Sequence, residues 1–194
     1  PIMHYNYTIF EAEVASTFNE QLVFEHLIKN AATQAEKTYL INMRVSDILA
    51  TLYRQTMFAE YECKTHKSVE NGNPLTIDLC REIYGSLLKD YFGPEMVFEK
   101  ISDLEGLRIP HFYNAFYVYK YSTGISAALA LVKRVTQGGK TEKEDYFNFL
   151  KSGGSRYPID ALKLAGVDMS SASLVQEACN TFADLVKQLE KELL

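Results

Sequence analysis

Residues 9–20 separate apolar from polar positions with the period of an α-helix. One stripe recurs at i, i+4 and i+8 and is apolar: Val14, Phe18 and Leu22. A neighbouring stripe presents two carboxylates and a hydroxyl to one side: Glu13, Thr17 and Glu20. Solvated helix faces commonly carry such groups, so this pattern alone predicts an amphipathic helix and no chemistry.

The helical period continues along the chain and predicts an all-α fold of about seven helices. Thr8 with Glu11, Thr33 with Glu36 and Thr141 with Glu144 have capping-box spacing at three helix starts, and Thr76 is the expected cap of a fourth helix. The predicted helices lie at 8–30, 34–63, 74–92, from about 114 to the Gly138 and Gly139 pair, from 141, from 158 to 166, and from 170 or 171 onward. Residues 64–73 and 93–112 are predicted loops.

The segment 117–121 admits two interpretations, because Tyr117, Tyr119 and Tyr121 alternate as they would on a β-strand. The residues that follow, 122–135, have a clear helical pattern. We therefore predict that the helix already begins near Asn114. The small side chains at 124–130 would allow a neighbouring helix to approach closely.

Charge and cysteine content narrow the function classes. A net charge of −5 argues against a nucleic-acid partner, which would need a basic face. The three cysteines form no CxxC pair and suit a reduced, cytoplasmic compartment. No 18-residue apolar run or signal peptide is present, so we expect no membrane partner.

Four segments, taken in order, resemble oligoendopeptidase F, a peptidase of the thimet oligopeptidase type. They are TIFEAEVASTFNE at 8–20, RQTMFAEYE at 54–62, IPHFYNAFYVYKYSTG at 109–124 and SRYPIDALKLAGVDM at 155–169. The resemblance implies a zinc-dependent endopeptidase whose helical halves close around short oligopeptides. It also implies that Arg54, Glu60 and Glu62 are further candidates for the cleft wall.

The same resemblance implies that Glu13 is a zinc ligand, with Thr17 and Glu20 supporting the metal ligands from behind. A catalytic zinc takes three protein ligands and leaves one position for water. In this family a His-Glu-x-x-His helix supplies the other two ligands and the general base. None of the four histidines of this chain has that spacing: His4, His26, His66 and His111.

The tyrosine-rich segment is similar to the part of these enzymes that hydrogen-bonds the oxyanion of the scissile peptide. The resemblance assigns this catalytic role to His111 and Tyr119. It assigns substrate binding to Tyr113 and Tyr117, and to Arg156 and Tyr157 within the Gly-rich break at 151–158. That break lacks the order of a phosphate-binding loop.

The chain starts at Pro1, where the zinc helix of such an enzyme would just have ended. We therefore expect residues 1–194 to be the C-terminal portion of one metallopeptidase catalytic domain, inactive without the N-terminal part of the same enzyme. The alternative is a non-catalytic all-α domain that binds a peptide or protein partner in an aromatic groove. The coding sequence upstream of Pro1 would discriminate between them.

Overall fold

A computed structural model describes residues 2–194 and places eight α-helices, and no strand, in that range. The helices are α1 (Ile9–Asn30), α2 (Gln34–Ile48), α3 (Arg54–Glu70), α4 (Ile77–Phe92), α5 (Tyr119–Gln137), α6 (Lys140–Ser152), α7 (Pro158–Leu164) and α8 (Ser173–Leu193). The all-α prediction is confirmed. The count exceeds seven because a π-helical turn, Leu49–Tyr53, separates α2 from α3 where one long helix was predicted.

Helix starts follow the predicted caps where the capping contacts are local. The Thr8 N–H donates to Glu11 Oε2 over 2.9 Å at the start of α1. The Thr33 hydroxyl accepts from the N–H of Glu36 over 3.1 Å at the start of α2. At the start of α4, Thr76 accepts from an N–H in the same way. Each cap satisfies an N–H group that lacks a partner within its helix.

Several predicted boundaries are wrong. Helix α4 begins at Ile77 rather than at 74, and α8 begins at Ser173 rather than at 170 or 171. Helix α3 runs on to Glu70 through the predicted loop, and Thr65 of this extension is buried. Helix α5 begins at Tyr119 rather than near Asn114. Helix α6 begins at Lys140, because the Glu142 carboxylate accepts from the Gly139 N–H over 2.7 Å, two residues before the predicted capping box.

The chain forms two compact units. The first runs to Leu49 and resumes from Thr123 to Leu194. Its core joins side chains from α1, α5, α6 and α7, of which the most buried include Val14, Phe18, Ala127, Leu131, Phe149 and Leu162. The small residues of α5 permit the predicted close approach, since a Cβ at Gly124 would lie 3.6 Å from the Cβ of Glu13.

The second unit runs from Ala50 to Ser122. Its core is rich in aromatic and long aliphatic side chains from α3 and α4: Met57, Phe58, Tyr61, Tyr84, Leu87 and Leu88. Cys80 is buried in this core and Cys63 is half-buried, whereas Cys179 is half-buried in the first unit. All three cysteines are free thiols. Within residues 2–194, none of the helices combines the length and apolar composition of a transmembrane span.

Candidate active site

The acidic stripe of the first unit lies on α1. Glu13 is half-buried, Thr17 is buried at 8% exposure, and Glu20 is exposed. Glu13 and Thr17 are one helical turn apart and share a face, as predicted. Glu20 lies further along, where its charge favours the protonated form of Arg44 on α2. Burial has the larger effect and lowers the pKa of Arg44 from its ordinary value.

The possible zinc ligands in residues 2–194 are dispersed. Nowhere in residues 2–194 do three His, Cys, Asp or Glu side chains group closely enough to hold a metal ion. Glu13 offers one carboxylate, whereas a catalytic zinc needs three protein ligands. The described residues therefore do not make up a zinc site by themselves.

Arg156 and Tyr157 are both exposed in the first unit, at the connection that leads into α7. The glycines just before them serve a packing role. A Cβ at Gly154 would collide with the backbone carbonyl of Asn6, and one at Gly153 with that of His4. The Gly-rich break thus lets the N-terminal segment lie directly against the short helix Gly153–Ser155.

An aromatic cluster forms in the second unit around His111. Its ring stacks on Tyr117, with centroids 5.8 Å apart, and meets the edge of Tyr121 at 6.1 Å. The Tyr121 hydroxyl donates to the Tyr117 hydroxyl over 3.3 Å. The structure therefore brings together two of the predicted residues of this segment, His111 and Tyr117. It adds Tyr121, to which the resemblance assigned no role.

Tyr113 and Tyr119 are presented more openly in the same unit. Tyr113 is 95% exposed at the end of the short helix Pro110–Tyr113, and Tyr119 is 47% exposed at the first residue of α5. A cavity of about 420 Å³ in this unit has Tyr113, Phe112 and His66 in its wall.

An ionic network fixes the segment that leads to His111. The Glu105 carboxylate accepts from Arg54 and from Arg108, and from the Tyr84 hydroxyl over 2.6 Å. Burial, together with this bond to a carboxylate, raises the pKa of Tyr84. Asp103, two residues earlier, pairs with Arg81 of α4 at 3.1 Å. These contacts attach the short helix Ser102–Leu107 to α3 and α4.

Residues 114–118 form a turn, and α5 therefore begins only at Tyr119. The Phe116 N–H donates to Glu62 Oε1 of α3 over 2.6 Å, and Phe116 has a positive φ of 55°. A helix through this segment would need a negative φ. Glu62 was predicted only as one of three weaker candidates, because a contact across 54 residues leaves no local pattern.

Comparison with known proteins agrees with the resemblance. The model of Peptidase family M3 matches residues 1–181. The oligoendopeptidase F homolog of Borreliella burgdorferi is 44% identical over 191 residues, covering 98% of this chain and 32% of the relative. Oligopeptidase PepF of Bacillus subtilis is 45% identical, covering 100% of this chain and 29% of the relative.

A solved structure gives the same result for the fold. The crystal structure of oligoendopeptidase-F from Enterococcus faecium superposes with a TM-score of 0.89 at 38% identity, covering 96% of this chain and 36% of that chain. The present chain thus spans about a third of the length of the proteins that it matches. Since the family model matches nearly the whole sequence, this chain belongs to peptidase family M3.

Proposed function

We propose that this chain is the C-terminal portion of the catalytic domain of a zinc-dependent endopeptidase that hydrolyses short oligopeptides. The observation that carries the proposal is the family match across residues 1–181, which includes the aromatic cluster around His111. The relatives are named oligoendopeptidases and oligopeptidases, which supports a peptide substrate.

The second unit would supply polar groups for the scissile peptide. His111 and Tyr119 are the proposed donors to the oxyanion that forms when a peptide carbonyl is attacked, and Tyr113 and Tyr117 are proposed to bind substrate. A neutral tyrosine hydroxyl is a suitable donor, and removal of one oxyanion donor typically costs about 3 kcal/mol of transition-state stabilisation. The exposure of Tyr113 and Tyr119 leaves both able to meet a ligand.

The first unit would supply one metal ligand and further substrate contacts. Glu13 is the proposed ligand, with Thr17 and Glu20 holding neighbouring groups in place. Arg156 and Tyr157 are proposed to contact the substrate backbone or terminus. The remaining ligands and the general base would come from the N-terminal part of the same enzyme, so we expect this chain to be inactive by itself. The free thiols suit a cytoplasmic location.

The test is complementation. The chain is mixed with the upstream two thirds of the Bacillus subtilis oligopeptidase, and zinc content and cleavage of a fluorogenic oligopeptide are measured. We expect zinc and activity in the mixture, and neither in the chain alone. Glu13→Ala should abolish both, whereas Glu82→Ala, an exposed glutamate on α4, should leave both intact.

A mixture with correctly folded partners, no zinc and no cleavage would overturn the proposal. The remaining interpretation would then be a non-catalytic domain that binds peptides in its aromatic groove. Peptide binding measured by calorimetry, with Tyr113→Ala weakening it, would support that alternative.

A further inference from the structure

We propose that Glu62 is a positioning residue of the peptidase: it holds the turn 114–118 and thereby places His111 and Tyr119. The inference rests on the proposed function, because it gives Glu62 a role in the same reaction. Glu62 itself makes no proposed contact with substrate.

The contact is direct and uses a charged acceptor. Glu62 Oε1 accepts from the backbone N–H of Phe116 over 2.6 Å. Hydrogen bonds to a carboxylate are roughly twice as strong as those between neutral groups. Glu62 is only 3% exposed, so water competes poorly for this acceptor. The carboxylate therefore fixes the turn from a rigid helix.

The backbone at Phe116 needs such a restraint. Its φ of 55° lies in the left-handed region, which side chains other than glycine rarely adopt. A second group on α3, one helical turn from Glu62, also meets this residue: the His66 ring lies 4.8 Å from the Phe116 ring. Glu62 accepts a hydrogen bond from the N–H and His66 packs against the side chain, so α3 contacts the turn at two points.

In the part of the chain that the structure describes, the Glu62 carboxylate interacts with the turn and not with a basic side chain. Among residues 2–194, Glu62 Oε2 is buried without a hydrogen-bond partner, and no ion pair involves Glu62. Among the described residues, the one hydrogen bond that the Glu62 side chain makes is therefore the bond to the turn.

The position of this turn connects it to the proposed chemistry. It follows the short helix Pro110–Tyr113, which carries His111, and it ends where α5 begins at Tyr119. A shift of the turn would move both proposed donors. A misplacement of about 1 Å can reduce catalysis by about 100-fold.

The first experiment uses the 194-residue chain and needs no activity. Hydrogen exchange of the Phe116 amide is followed by NMR. Glu62→Ala should speed exchange by about tenfold or more, the loss expected for one such bond. Glu62→Gln should retain most of the protection, because its amide oxygen still accepts. Glu70→Ala is the control, since Glu70 is an exposed glutamate at the end of the same helix.

The second experiment uses the reconstituted peptidase. Glu62→Ala should lower kcat by about 10- to 100-fold. KM should rise by a smaller factor, because the turn also carries Tyr117, which is proposed to bind substrate. Glu62→Gln should restore kcat to within about threefold of the original value, since a hydrogen-bond acceptor is retained. Loss of folded protein alone would lower the active fraction and leave kcat per folded molecule unchanged.

A double-mutant cycle tests whether Glu62 acts through the backbone conformation of Phe116. Phe116→Gly removes the need for a restraint, because glycine adopts the positive φ without strain. Glu62→Ala should therefore lower kcat much less in the Phe116→Gly background.

Three results would overturn the inference: unchanged exchange at Phe116 in Glu62→Ala, an unchanged kcat, or strictly additive effects in the cycle. If the exchange result holds but the reconstituted wild type is inactive, the proposed function fails and the catalytic role of Glu62 fails with it. If the wild type is active and the exchange is unchanged, only the inference fails.

Discussion

The hydroxyl of Tyr146 is a local weakness in the core of the first unit. Its ring stacks on Phe18 with centroids 3.9 Å apart, and the residue is 5% exposed. Within the described chain its hydroxyl has no hydrogen-bond partner. Burial raises the pKa of Tyr146 to about 12. The apolar ring stabilises the fold, whereas the polar tip opposes it.

Tyr146→Phe should therefore stabilise the protein near neutral pH. Removal of a buried, unsatisfied hydroxyl is expected to raise the free energy of unfolding by about 1 kcal/mol. Urea denaturation followed by circular dichroism measures this. Tyr5→Phe, at a residue that is 76% exposed, should change the midpoint little. A clear destabilisation by Tyr146→Phe would mean that the hydroxyl is satisfied in solution.

Of the glycines in the second unit, Gly106 leaves the least space for an added Cβ. A Cβ there would lie 2.8 Å from ring atoms of both Tyr61 and Tyr84. Gly106→Ala should lower the free energy of unfolding by about 1–3 kcal/mol, because both rings must shift. Gly85→Ala should act in the opposite direction by about 0.5–1 kcal/mol, since it lies within α4 and its Cβ would meet only Asp103 at 3.7 Å. Equal effects of the two substitutions would contradict this interpretation.

Residue-level prediction from the sequence worked where contacts are local. The Thr8, Thr33 and Thr76 caps bond to residues three positions ahead, a distance that the sequence shows directly. The sequence pattern does not single out Glu62 or Tyr121, because their partners come close only on folding. Glu62 accepts from an N–H 54 residues away. The Tyr121 ring meets that of Tyr117, which lies in the turn before α5.

At the scale of elements, close backbone contact accounts for the two adjacent glycines of the Gly-rich break. Gly153 and Gly154 lie against backbone carbonyls of His4 and Asn6. A backbone atom cannot move aside as a flexible side chain can. The two glycines therefore determine how the segment before α1 is held.

Gly154→Ala should release this N-terminal segment while leaving α1 folded. Limited proteolysis is expected to cut before Ile9 faster in the variant, because loosened terminal segments are preferred cleavage sites. Gly72→Ala is the control: its φ of 83° makes it strained, but no atom lies within 4 Å of its added Cβ and it is remote in sequence from this segment. Unchanged cleavage near residues 2–8 would show that the contact does not hold the segment.

Elements defined by periodic apolar positions were predicted well, and those defined by distant contacts were not. Helices α1 and α4 end at the expected residues, Asn30 and Phe92. The turn 114–118 was missed because a carboxylate from α3, rather than glycine or proline, stops the helix there. The polar composition of residues 64–73 predicts a loop, but α3 continues to Glu70, and Thr65 in this extension is buried.

At the scale of the whole molecule, buried tyrosines make the fold sensitive to high pH. Burial raises the pKa of Tyr146 to about 12, and burial with a hydrogen bond to Glu60 raises that of Tyr91 to about 12. Burial also raises the pKa of Tyr61 and Tyr84. An unfolded tyrosine ionises near pH 10.

The raised pKa values determine how stability changes with pH. The folded state favours neutral tyrosine, so its contribution to stability is complete below about pH 10 and is lost as pH rises toward 12. Thermal unfolding followed by circular dichroism should show Tm falling steeply over that window. Tyr146→Phe should make the fall shallower. A flat Tm between pH 10 and 12 would rule out these tyrosines as the cause.

The exposed apolar surface has a consequence for solution behaviour. Large apolar side chains stand open to solvent in both units, among them Met3, Tyr5, Val97, Tyr113 and Leu193. Because association between copies can remove such side chains from water, we expect self-association at high protein concentration. Light scattering across a concentration series measures it, and a constant monomer mass would contradict the expectation.

The three free thiols allow the local opening of each unit to be measured separately. Cys80 and Cys63 belong to the second unit and Cys179 to the first. A thiol as enclosed as Cys80 is alkylated only during local opening, whereas a half-buried one reacts sooner. Mass spectrometry of alkylated peptides over time would therefore give an opening rate for the core that carries Tyr61 and Tyr84. Cys179 would report independently on α8.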